Sequence, residues 1–288
     1  MKIIKAVYGN KDCTEQILNK VVGNKLIVRA DNQTFGDPML GVVKWLEITY
    51  EEGGETHTQK WKEGSLATLP KPKTDRLGIF YSNNINERIY PSIRASLKSI
   101  QKAAEGKADI LTCMWRYEVE NPFYQCIAWT QTSSHLNQIL QVLQLLYTAR
   151  ESGDYKYVSF LEHDLLYAEG YFDYPEFEEG VLANMNYIGM NKEGYQPLGQ
   201  RDKPTSQLTI RFDDAIKHFD SLLPNALVRN SGLLEPQIPM VEWNSAQPNI
   251  HINHGSHFTS HYNVYKKNDL FQSHPYWGEH SQYLDFFP

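Results

Sequence analysis

Between residues 25 and 61, apolar and polar positions alternate in short runs: Lys25-Leu-Ile-Val-Arg29, Val42-Val-Lys-Trp-Leu-Glu-Ile-Thr-Tyr50 and His57-Thr-Gln-Lys-Trp61. Turn residues at Gly23-Asn24, Gly36-Asp-Pro38 and Gly53-Gly54 separate them, so the pattern predicts a small antiparallel β-domain with a hairpin at the glycine pair. Trp45 and Trp61 read as core or cross-strand packing residues. From residue 76 the period changes. Arg76-Leu-Gly-Ile-Phe-Tyr81 is a short apolar strand, Ser82 to Asn86 a polar turn, and Tyr90 to Ala104 a helix with Ile93, Leu97 and Ile100 on one face. Residues 108–114 form the next strand. Ser133-Ser134 then open a long helix striped with Leu136, Ile139, Leu140, Leu143, Leu146 and Tyr147, and Lys156 to Leu161 is a buried-type strand. Ser206 to Ile210 reads as a strand and Asp213 to Leu222 as a helix. Strands alternating with helices predict an α/β layer with a largely parallel sheet.

Charge locates the boundary between the two patterns. Residues 1–70 hold nine Lys/Arg against nine Asp/Glu, which leaves the whole net charge of −6 on the remainder. Leu69-Pro-Lys-Pro-Lys-Thr74 has linker chemistry, so the expected organisation is a β-domain at 1–70, a linker at 71–75 and an α/β domain at 76–288. An acidic balance supplies no bulk field for nucleic-acid backbones. Cys13, Cys113 and Cys126 are an odd, widely spaced set, which argues against a disulfide framework or a structural zinc site. With no leader and no long apolar stretch, the chain reads as soluble and cytoplasmic. No G-x-G-x-x-G, G-K-[ST] or G-x-S-x-G occurs, against dinucleotide oxidoreductases, P-loop NTPases and serine hydrolases.

Asp12-x-Thr14, Leu26-Ile27, Phe35-Gly-Asp-Pro38, Gly41-x-x-Lys44-x-Leu46-x-x-x-Tyr50 and Leu69-Pro70 carry a resemblance. In these elements the first 70 residues resemble the C-terminal domain of a DnaJ-related mitochondrial protein, a family of uncharacterised function. The matching positions are turn and core types. The resemblance implies a fold and no chemistry, and the domain is read as an accessory module.

The most informative residues follow the strand that ends at Leu161. Glu162-His163-Asp164 stands where open α/β sheets present groups to ligands, outside the carboxyl ends of strands. On an extended segment Glu162 and Asp164 point to the same side, where two carboxylates can hold a divalent cation that neutralises a diphosphate. Strand 77–81, the helix at 134–150, Gly153-Asp154-Tyr155, Val158 to Tyr167 and Gly170-Tyr-Phe172 together resemble a GT-A-fold glycosyltransferase over residues 76–262. In that family a Rossmann-like half ends in a short acidic motif, D-x-D, which positions a metal-bound nucleotide sugar. Here Glu162 stands in place of the first Asp. The resemblance therefore implies Asp164 as metal contact, with Glu162 facing the donor ribose or sugar.

Pro248 to His261 holds four of the ten histidines, His251, His254, His257 and His261. Ile250 and Ile252 alternate with His251 and Asn253 as in a half-buried strand, followed by a turn at His254-Gly255. Many GT-A enzymes add a late histidine to the acidic motif, and the resemblance implies that role for His254, the other three being weaker candidates. Glu235, in the loop Ser231 to Gln237, is the first candidate for the general base that deprotonates an acceptor hydroxyl, with Asp214 and Glu242 as alternatives. Asp213 and Asp214 also suit a helix N-terminus. Donor contacts would come from Tyr81, Asn83, Asn84, Arg88, Arg116, His135 and Gln138. The expected activity is metal-dependent transfer of a sugar from a nucleoside-diphosphate sugar, with Mn²⁺ or Mg²⁺, to a hydroxyl acceptor such as a glycan; an alternative makes the acceptor a modified DNA base, as in some phage glycosyltransferases, and the acidic balance counts against it. The alternative of a different class is a non-catalytic glycan- or nucleotide-binding module.

Overall fold

The computed structural model describes the chain except residues 23–24, 70–73, 83–86, 115–118, 128–133, 198–204, 230–238, 254–269 and 288, and the side chain of residue 127. Two compact units result: Met1–Asp75 with Tyr147–Asp154, and Arg76–Leu146 with Tyr155–Pro288.

In the first unit, β1 (Lys2–Tyr8), β2 (Lys11–Asp12), α1 (Thr14–Leu18), β3 (Val21–Val22), β4 (Lys25–Arg29), α2 (Asn32–Phe35), β5 (Trp45–Glu52), β6 (Glu55–Lys62) and β7 (Leu66–Leu69) follow in order. They form an antiparallel sheet β2-β1-β5-β6 and a second one, β3-β4-β7. The β5–β6 hairpin turns at Gly53 and Gly54, whose φ of 62° and 87° are the two left-handed positions a two-residue turn requires. Alternation along β5 buries Leu46, Ile48 and Tyr50 against Ala6, Tyr8, Leu26, Val28 and Phe35. Each such side chain contributes about 1.5–3 kcal/mol by leaving water. The same alternation turns Trp45 outward, where it is 51% exposed, so it is no core residue. Trp61 does pack against the core.

The second unit comprises β8 (Arg76–Ser82), α3 (Tyr90–Ala104), β9 (Asp109–Met114), β10 (Tyr124–Ile127), α4 (His135–Ser152, of which residues 147–152 are assigned to the first unit), β11 (Tyr157–Leu161), β12 (Leu165–Leu166), β13 (Val181–Asn184), β14 (Tyr187–Asn191), β15 (Gly194–Pro197), β16 (Leu208–Arg211), α5 (Phe212–Arg229), β17 (Met240–Trp243), β18 (Asn249–Ile252), β19 (Ser273–His274) and β20 (Gly278–Glu279). Seven strands make one mixed sheet, β10-β9-β8-β11-β16-β13-β17. β8, β9, β10 and β11 are parallel. β16 runs against both β11 and β13, and β17 is parallel to β13.

Helices cover this sheet on both faces. α3 seats Ile93, Leu97, Ile100 and Ala103 in one cluster with Phe80, Ile110, Leu161 and Phe172. From the other pleat, Phe160 meets Phe219 of α5 at 5.4 Å between ring centroids. α3 has the bounds its periodicity predicts, with Pro91 in its first turn. α4 is capped by Ser134, whose Oγ accepts from the Asn137 amide at 3.0 Å. α5 continues past Leu222 to Arg229 despite Pro224, and residues 205–207 form a 3₁₀ turn where the sequence suggested the start of a strand.

A smaller sheet, β12-β18-β14-β15, packs Leu166, Met190, Tyr195, Ile250, Ile252 and Phe286 together. β18 is interior to it, so all four of its residues are buried rather than half of them. The buried polar Asn249 is satisfied there: its Oδ1 accepts from the Ala168 amide and its Nδ2 donates to Gln207 Oε1, both at 2.9 Å.

Candidate functional site

From β8 the chain steps outward to β9 and β10, then returns to β11 on the opposite side of β8. The order therefore reverses between β8 and β11. Connections there leave in opposite directions and open a crevice outside the carboxyl ends of the two strands.

Register sets what lines that crevice. Leu161 pairs with Phe80, so the residues just beyond, Glu162 on one strand and Tyr81 on the other, come level. The Tyr81 hydroxyl donates to Glu162 Oε1 at 2.9 Å, and Ser82 Oγ lies 2.9 Å from His163 Nδ1. Gln141 of α4 donates from Nε2 to the Ser82 carbonyl at 3.1 Å. The Glu162 backbone is held from two directions: its amide donates to the Tyr167 hydroxyl at 2.8 Å, and its carbonyl accepts from Ser96 Oγ at 3.2 Å. Burial raises the Tyr167 pKa well above the ordinary phenol value, so that hydroxyl stays protonated.

His163 and Asp164 form a tight turn into β12, and Glu162 and Asp164 engage different partners rather than sharing one side of an extended segment. Asp164 Oδ2 lies 3.1 Å from His251 Nε2, with both side chains buried. Antiparallel pairing of β12 with β18 brings them together across 87 positions, since Leu165 is opposite His251 and the Ile252 amide donates to the Asp164 carbonyl at 2.7 Å. The histidine that reaches the acidic motif among the described residues is thus His251, which the sequence rated below His254. His254, His257 and His261 lie outside the described residues, as do Asn83, Asn84, Arg116 and Glu235. Among the described residues no three His, Cys, Asp or Glu side chains form a cluster able to hold a metal.

The remaining expected residues divide. Tyr81 is in the crevice. Arg88 is exposed on a 3₁₀ turn before α3, His135 is exposed and Gln138 partly buried at the start of α4. Glu242 is exposed on β17, at the sheet edge. Asp214 is displaced from the crevice for a topological reason. β16 is antiparallel, so its last residue, Arg211, pairs with Tyr157, the first residue of β11. Asp214 therefore sits at the opposite end of the sheet, about 16 Å away for five residues at 3.3 Å each. There it lines a separate cavity of about 630 Å³ with Lys217, His218, Ile210 and Val241. From sequence Ser82 and Ser96 carry no role: Ser82 reads only as the start of the polar turn that holds the donor candidates Asn83 and Asn84, and His163 only as the middle of the acidic triplet.

No protein-family model matches the chain, and no curated protein matches it. Among solved structures the chain is similar to a glycosyltransferase involved in the glycosylation of the major capsid of PBCV-1, at 12% identity and a TM-score of 0.36, over 61% of this chain and 91% of that one. The second unit is a mixed α/β fold whose large sheet is flanked by helices. Among the described residues no helix is long and apolar enough to cross a membrane.

Proposed function

We propose that the second unit is a GT-A-like glycosyltransferase domain that moves a sugar from a nucleoside-diphosphate sugar to a hydroxyl acceptor. One observation carries this reading. An acidic turn follows a strand at the sheet's reversal point, and a histidine from a late strand lies 3.1 Å from its second carboxylate. The GT-A resemblance implies that pairing of motif acid and late histidine, with His251 here in the role first given to His254.

One carboxylate oxygen and one imidazole nitrogen, adjacent and buried, suit Mn²⁺ or Mg²⁺ as part of a coordination sphere whose other positions a diphosphate can fill. When bound, such a cation supplies Lewis-acid stabilisation of the leaving diphosphate. The chain's own residues do the rest. Glu162, oriented by Tyr81, accepts hydrogen bonds from the donor's ribose or sugar hydroxyls. His163, held through Nδ1 by Ser82, faces the same end of β8. Glu235 is our proposed base, taking the acceptor proton as the new glycosidic bond forms and the sugar–phosphate bond breaks. All of these residues belong to the second unit. The first unit, which resembles the DnaJ-related domain in sequence, is accessory to the transfer.

Incubating the full chain with UDP-, GDP-, CDP- and TDP-sugars, Mn²⁺ and a glycan acceptor panel tests the reading. Nucleoside diphosphate should be released from at least one donor, cease with EDTA, and fall about 100-fold or more in Asp164→Asn, the usual cost of losing a charge-stabilising group. Release that is absent, or equal in Asp164→Asn, contradicts it.

A further inference from the structure

The first unit leaves a long sheet edge open. In the order β2-β1-β5-β6 one edge is β2, a strand of 2 residues, and the other is β6, a strand of 8. Register shows which backbone groups of β6 are spare. Glu52 and Glu55 close the two-residue turn as a hydrogen-bonded pair, and such pairs alternate with non-hydrogen-bonded ones along the hairpin. Glu55, His57, Gln59 and Trp61 therefore direct their amides and carbonyls to β5. The far end keeps the same phase, since the Glu63 amide donates to the Lys44 carbonyl at 2.8 Å. Thr56, Thr58 and Lys60 turn theirs the other way, and among the described residues no backbone hydrogen bond engages them. All three residues are exposed. The edge ends at Lys62, whose carbonyl accepts from the Ser65 amide at 3.0 Å.

We propose that a second copy of this chain covers this edge, β6 pairing antiparallel with the partner's β6 about a two-fold axis at Thr58. Pairing centred there sets Thr58 opposite the partner's Thr58, and Thr56 opposite the partner's Lys60, all as hydrogen-bonded pairs. Every outward amide and carbonyl of the three residues then gains a partner in both copies.

A two-fold axis requires a self-complementary surface. The side chains on the outward face supply one. There Glu47 stands opposite Lys60, Thr49 opposite Thr58, and Glu51 opposite Thr56. In the joined sheet the central row becomes four threonines, extending the contact of 3.0 Å already present between the Thr49 and Thr58 hydroxyls. In the rows on either side, Lys60 lies between Glu47 of its own chain, with which it is ion-paired, and the partner's Glu51 beyond the short Thr56. Like charges do not meet. An axis at Lys60 would instead oppose two ammonium groups. An unrelated strand would satisfy the backbone equally well, so it is this charge order that favours a second copy. The inference is independent of the transferase reading, since it uses only residues of the first unit.

Sedimentation of the full chain from about 1 to 300 µM tests it. The mass should rise from monomer to dimer and stop, with a dissociation constant on the order of 10–100 µM, because one strand against one strand is a small interface. Thr58→Pro removes an outward amide and spares the pairing with β5, so it should weaken the dimer at least tenfold. Lys60→Glu, which brings carboxylates together, should weaken it several-fold. Thr58→Cys locates the axis: its two Cα atoms would lie about 5.5 Å apart, so oxidised glutathione should link two chains there. Thr56→Cys, with about 13 Å between its copies, should not cross-link. Circular dichroism confirms that each variant is folded. The proposal is overturned if the chain stays monomeric throughout, if it associates beyond a dimer, if neither Thr58→Pro nor Lys60→Glu weakens the dimer, or if Thr58→Cys fails to cross-link. A chain that stays monomeric but binds the peptide of residues 55–62 would give the edge to a strand of another protein, which also overturns it.

Discussion

The link between Asp164 and His251 can be measured without any ligand. Oδ2 and Nε2 are 3.1 Å apart, and the side chains retain only 10% and 6% exposure. A hydrogen bond to a charged group in such a setting contributes about 1.5–3 kcal/mol net, well below the bare Coulomb attraction because desolvation offsets most of it. Asp164→Asn, His251→Ala and the double variant form a cycle, each stability read by urea unfolding in EDTA with circular dichroism. The chain has two units, so the transition belonging to the second must be resolved before a free energy is assigned. The expected coupling is about 1.5–3 kcal/mol, the double variant being less destabilised than the sum of the singles. Additivity within about 0.5 kcal/mol would refute the argument that this pair joins the acidic turn to β18.

Three further outcomes follow from the geometry. Tyr81→Phe removes the donor to Glu162 while keeping the buried ring, so it should cost about 1 kcal/mol in stability and weaken donor binding several-fold; calorimetry showing wild-type affinity would remove Glu162 from the donor site. Gly78→Ala places a Cβ 2.5 Å from Ile110 Cδ1 and 2.8 Å from Leu161 Cδ1, so thermal unfolding should reveal a loss of about 1–3 kcal/mol, and an unchanged Tm would contradict the packing between β8 and its neighbours. Asp214→Asn should leave turnover within twofold of wild type, because its end of the sheet is not the crevice; a tenfold loss would restore it as a candidate base.

Local periodicity made much of the fold legible. α3 is a stripe of Ile93, Leu97 and Ile100, and β11 an uninterrupted buried run, so their own residues specify them. Trp45 reads by type as a packing residue although the pattern argues otherwise: with Leu46, Ile48 and Tyr50 facing in, strand alternation turns it outward. What else escaped depends on pairing between distant segments. Nothing in Leu208-Thr-Ile-Arg211 announces that this strand runs antiparallel, yet that direction alone carries Asp214 away from Glu162. Likewise, the choice among four clustered histidines is made by the β12–β18 register, a contact across 87 positions, while the 3.1 Å approach of His251 has no signature in its neighbours. The position of the acidic motif was legible because a buried strand ends there. The directions of its side chains were not, because the chain turns at His163 instead of continuing extended.

The most direct measurement is a crystal structure of the full chain grown with Mn²⁺ and each of UDP, GDP, CDP and TDP. The account predicts that one nucleotide orders at the carboxyl ends of β8 and β11, its diphosphate beside Asp164 and His251 and its ribose toward Tyr81 and Glu162. Nucleotide bound elsewhere, such as in the cavity beside Asp214, or no nucleotide bound at all, would contradict it.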